Sequence, residues 1–186
     1  MKRLVLGSLL AAVVVFFWGF LYWNVLPFRS SATQAAPDEP SLAQTLGALP
    51  ATGTYELPHL SASESPEAFV GRLSQGPIAL VLLRKEGANA SDPAMFINGF
   101  LHMLITALLI GLVLRRTGLA TFGARFGLVF LAGLAAAIFA NLGEPIWYFQ
   151  PWDWHLLQFG YDLTAWVLFG LVLAKFVQPE AVRARP

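Results

Sequence analysis

Two stretches carry the side chains that could do chemistry: HLLQFGYDLTAW, residues 155–166, and FINGFLHML, residues 96–104. Both are otherwise fit for hydrocarbon. An ionisable group in such a run costs several kcal/mol and generally faces protein or water, so each is a candidate functional residue. At 100° per residue, His155, Gln158, Asp162 and Trp166 fall within an arc of about 80°, one helix face. Asn98, His102 and Thr106 follow at four-residue steps, drifting about 40° each time. His102 lies eight residues after Ala94 and Asp162 seven after His155, which puts both about 10–12 Å along their helices. The expectation is a pair between His102 and Asp162, the carboxylate held charged or sharing a proton with the imidazole.

Asn24, Asn98, Asn141 and Glu144 gather toward the same ends of these segments, whereas the opposite halves contain almost nothing polar. That asymmetry argues against a continuous channel or proton wire and for a site that opens outward. Several chemistries are compatible with the cluster Asn98, His102, Asp162, Gln158, His155 and Glu144. It could hold two helices in register through a buried pair and its amides. It could form a pocket for a lipid-like or quinone-like ligand, with His102 or Asp162 bonding a carbonyl or hydroxyl. Two imidazoles and two carboxylates could also ligate a metal, although no HExxH pattern or i, i+4 His pair is present. An enzyme acting on lipid, with His155 and Glu144 as acid and base, is a further reading. No GxSxG, P-loop or GxGxxG motif supports catalysis, and no cofactor is indicated.

The elements that must position these residues are four apolar segments, each near the roughly 20 residues needed to cross a bilayer. They run over 4–26, 94–114, 126–143 and 155–175. Asp92-Pro93 is a start signal for the second, since Asp caps free amides and Pro suits the first turn. The first segment resembles a signal peptide in its basic start, but its length and its Trp18, Tyr22 and Trp23 favour a retained signal-anchor helix. Basic residues set the orientation. Lys2, Arg3, Arg115, Arg116, Arg125, Lys175, Arg183 and Arg185 fall on one side, which places both termini in the cytoplasm. In NLGEPIWYFQPWDW, residues 141–154, Trp147, Tyr148, Trp152 and Trp154 suit the headgroup zone.

The expected architecture is an all-α integral membrane protein: a four-helix transmembrane bundle with a small α+β extracytoplasmic insertion between helices 1 and 2. The helix over 1–26 leads into a tether and mini-domain over 27–93. A three-helix region over 94–178 and a cytoplasmic tail over 179–186 follow. RSSATQAAPDEPSLAQ reads as the tether, GTYEL (53–57) as a strand, SPEAFVGRLSQG (65–76) as a helix and PIALVLLR (77–84) as a buried strand. So small an insertion buries little apolar area alone and needs something to rest on.

Composition sets the outer bounds. The 186 residues are 56% hydrophobic and 12% charged, against about 45–50% and 25% in soluble domains, and mean hydropathy is +0.61. A net charge of +1 gives no basic surface for nucleic acid. The chain has no cysteine, which removes disulfides, thiolate nucleophiles and Cys-ligated metals. The expected function is that of a non-catalytic accessory or assembly subunit in a bacterial-type inner membrane, its partners the lipid bilayer and another membrane protein or its own copy. The rival expectation is an outward-facing binding or sensing protein for a small amphiphile.

Overall fold

The structure, a computed structural model, describes residues 1–179. Arg183 and Arg185, and the expected tail after Pro179, lie outside the described residues. The chain is mostly helical, with a small two-stranded sheet. Four helical stretches are long and apolar enough to cross a membrane: Lys2–Val25, Pro93–Arg116, Phe122–Trp147 and Trp152–Phe176. The chain divides into two compact units. One comprises residues 1–33, 90–143 and 152 onward; the other comprises 34–89 with 144–151.

In the first unit α1 (Lys2–Phe20) ends in a wider π-helical turn, Leu21–Val25, closed by the Leu26 amide donating to Leu21 O at 2.8 Å. A short α2 (Phe28–Ala32) follows. α5 (Pro93–Arg116) starts as its sequence requires, with the Asp92 carboxylate accepting from Ala94 N at 2.9 Å. α6 (Phe122–Asn141) starts four residues earlier than expected, because Thr121 caps it by accepting from Ala124 N at 3.1 Å. α8 (Trp152–Phe176) starts three residues early.

These helices pack in the order α5, α1, α8, α6, each against the next, and α5 meets α8 only marginally. The expected facing of the second and fourth apolar helices is thereby corrected: the first lies between them. Small residues on two sides of α1 are the physical reason. Gly7 takes the Phe176 and Val177 side chains of the α8 end, while the neighbouring Ser8 faces Gly111 of α5. A Cβ on Gly111 would sit 2.4 Å from Leu4 Cδ1, so α5 approaches this closely only over glycine. Leu4, Ala11, Val15, Ala107, Leu114, Ala165, Phe169 and Leu173 form the core where the helices meet.

The second unit contains α3 (Glu39–Gly47), β1 (Gly53–Leu57), α4 (Pro66–Gln75) and β2 (Ala79–Leu83). The strands pair antiparallel, with Gly53 opposite Leu83 and Tyr55 opposite Val81. α4 matches the expected helix: Ser65 Oγ accepts from Ala68 N at 3.2 Å, and Gly76 ends it at φ 63°, a conformation suited to glycine. The supposed tether is partly helical, since Asp38 accepts from Ser41 N at 3.0 Å and Pro40 lies in the first turn of α3. Arg72 braces α4 by donating to the Glu64 carboxylate and, at 2.9 Å, to His59 O. That hydrogen bond holds the Glu64 carboxyl below its ordinary range. α7 (Gly143–Trp147) is a single short turn of helix.

Candidate functional site

Asp162 is placed by α8, and its partner comes from α6. Asn141 Nδ2 donates to Asp162 Oδ2 at 2.7 Å and to Ala137 O, one turn back on its own helix, at 3.0 Å. Asp162, expected to face α5, meets α6 instead. Trp166, one turn further along, packs over Gly133, where a Cβ would lie 2.2 Å from its Cγ. His155 is buried, and Gln158 is half-buried.

The expected pair of His102 with Asp162 does not form. His102 lies on the exposed side of α5, as does Asn98, and α1 separates that helix from α8. Depth separates them as well. Gly99 is level with Phe16, and Gly111 with Ser8, so His102 belongs to the stretch of α1 between Ser8 and Phe16. Asp162 lies beyond Trp18, near the contact of Gly19 with Tyr161. Counting from each helix start misjudged this because neighbouring helices begin at different heights. Among the described residues, neither the Asn98 amide nor the His102 ring has a hydrogen-bond partner; the Thr106 hydroxyl donates to His102 backbone O at 3.0 Å.

α1 and α8 are joined by polar contacts that the sequence reading missed. Trp18 Nε1 donates to Thr164 Oγ1 at 2.9 Å, and the Tyr22 hydroxyl donates to Leu157 O at 2.8 Å. Gly160 makes room for the latter, since a Cβ there would be 3.0 Å from the hydroxyl. Trp23 stacks obliquely on Tyr161 and Trp154, with ring centroids 5.5 and 5.8 Å apart. Beside this seam is a groove of about 540 Å³ whose lining includes Trp18, Tyr22, Phe28, Ser31, Asp153, Leu157 and Thr164. Near the other end of α1, a second groove of about 580 Å³ is lined by Lys2, Arg3 and Arg115.

Arg125, expected only as one of the basic residues that set the orientation, is buried. The early start of α6 brings it inside the helix, where it is 6% exposed. Its Nε donates to Ala174 O at 2.9 Å, and Nη1 donates to Leu119 O and Ala120 O. A cation on the last carbonyls of a helix is favourably placed against the macrodipole, so Arg125 fastens the end of α8 to the α5–α6 loop.

Glu144 belongs to the second unit, where it accepts from Gln150 Nε2 at 3.0 Å. It is therefore not part of the unit that holds His155. Trp147 and Tyr148 of the second unit are exposed, as is Trp152 at the start of α8, whereas Trp154 is half-buried against Trp23. Among the described residues, no three His, Asp or Glu side chains converge as a metal site. Comparison of the chain with protein-family models, curated proteins and solved structures returns no match.

Proposed function

We propose that this protein is a multi-pass integral membrane protein of a bacterial-type inner membrane that acts by association rather than catalysis, as an accessory or assembly subunit. The observation that carries this reading is the division of its polar groups. Inside the long-helix unit, Asn141, Asp162, Trp18, Thr164, Tyr22 and Arg125 bond to neighbouring helices or loops, and the Ser8 hydroxyl is buried without a partner among the described residues. Asn98 and His102 face away from the unit on a helix at the edge of the row. Intramembrane polar groups are rarely left facing lipid and normally meet protein, so a further chain is the natural cover for them. The test is native mass spectrometry of the full chain released from its own membrane in lipid nanodiscs. The expected result is an assembly holding at least one further polypeptide; a monomer at every protein concentration overturns the reading.

A second reading rests on the groove beside α1 and α8. Its aromatic wall and the Asp153 carboxylate in its lining suit an amphiphile with a short apolar body and a donor-bearing head. Lipid analysis of purified protein before and after Ser31→Trp, which fills the groove, would separate a bound amphiphile from bulk lipid. Unchanged lipid content removes this reading.

A further inference from the structure

The exposed face of α5 has a periodicity that names its occupant. Met95, Asn98, His102, Ile105, Leu109 and Leu112 follow at alternating steps of three and four residues, and all six are exposed. This is the a/d spacing of a helix seam with a 3.5-residue repeat. The seam is opposite the face that packs on α1 through Ala107, Gly111 and Leu114. His102 is nine residues into a 24-residue helix, about 14 Å from its start and near its middle.

We propose that a second copy of this chain covers the seam, α5 against α5 in parallel, about a twofold axis along the membrane normal. The proposal rests on the membrane-assembly reading above and names the partner in it. Copies inserted with the same orientation bring each residue to the depth of its own twin, so the side chains at a twofold contact must be complementary to themselves. Asn and an uncharged imidazole each carry both a donor and an acceptor, so Asn98 can bond to Asn98 and His102 to His102 across the axis. A lone carboxylate or ammonium there would repel its twin. Ile105, Leu109 and Leu112 then supply the apolar layers below, and the two polar layers fix the register, as a buried Asn does in a coiled coil. The row of helices allows it, since α5 is an edge and its outer face is free of other elements in the long-helix unit.

The chain has no cysteine, so single introduced thiols report contacts without background. Full-length Ile105→Cys and Leu109→Cys, oxidised in native membranes, are expected to give a disulfide-linked dimer. Ile97→Cys and Leu101→Cys, equally exposed but off the seam, are expected to give none. In detergent, Asn98→Leu and His102→Leu should each weaken dimerisation about three- to tenfold. Both positions are exposed, so the variants should keep the helical spectrum and melting behaviour of the parent. Cross-linking at all four positions alike, or at none, overturns the dimer. If the seam thiols instead link to a different membrane protein, the homodimer is wrong while the assembly reading stands; if nothing cross-links and the chain is monomeric, both fail.

Discussion

A carboxylate on an apolar helix is stabilised by whatever donates to it, and for Asp162 that donor is the Asn141 amide. Removing the donor alone leaves the carboxylate's desolvation uncompensated, whereas removing both groups leaves apolar surface on apolar surface. Asn141→Leu should therefore destabilise the long-helix unit by about 1.5–3 kcal/mol, with Asp162→Leu in the same background recovering much of that loss. Asp162→Asn keeps an acceptor for Asn141 and should cost less than Asn141→Leu. Equilibrium unfolding in mixed micelles of varying denaturing-detergent content measures the three variants against the parent. Single variants within about 0.5 kcal/mol of the parent would indicate that water already serves the carboxylate. The same reasoning makes Arg125 structural: its guanidinium meets backbone carbonyls, and among the described residues no carboxylate pairs with it.

Along α6 the buried positions recur every four residues, Arg125, Val129, Gly133, Ala137 and Asn141, and Phe126 beside this stripe packs its ring against Gly170 of α8. Gly133 is the tightest point, with Trp166 filling the place of a side chain. Gly133→Ala should overpack the seam and cost about 1–3 kcal/mol. Trp166→Leu in that background should relieve part of the cost, giving a negative coupling in a double-mutant cycle. Additive losses would mean that the two residues do not meet. What was legible in the sequence was local: four long apolar helices, the Asp92 cap, and the alternation of strand, helix and strand over 53–84 all follow from periodicity and end signals. The order of the helices was not legible, because it depends on which small residues notch together, and Gly7, Ser8 and Gly111 look alike in a sequence of many glycines and alanines. The partner of Asp162 was misassigned for a related reason. Depth counted from helix ends ignores the offset between neighbours, and α8 starts earlier than its apolar run suggests.

For the whole molecule, the proposed membrane reading raises the question of which way four crossing helices would lie, and charge bears on it more directly than packing does. Lys2 and Arg3 open α1, Arg115 and Arg116 end α5, Arg125 is in the first turns of α6 and Lys175 is in the last turn of α8. Helices that alternate in direction bring all of these to one end. The other ends carry Trp23, Trp152, Trp154 and Asp153, aromatic and acidic instead. Basic residues close to membrane helices are retained in the cytoplasm, and each would have to cross the bilayer in an inverted molecule. The long connection over 33–92 has its own Arg72, Arg84 and Lys85, but charges in long translocated segments count for little. The proposed orientation, with both termini in the cytoplasm, therefore predicts opposite labelling at two sites in the cysteine-free chain. Ser63→Cys in the second unit should react with a membrane-impermeant maleimide in intact cells, and Gln178→Cys after α8 should react only once the membrane is opened. The reverse pattern would mean that the short-loop charges do not govern insertion here, and the α5 seam would then run through the bilayer upside down without losing its twofold geometry. Equal labelling at both sites before permeabilisation would count against three crossings, α5, α6 and α8, between them, and with that against four membrane helices.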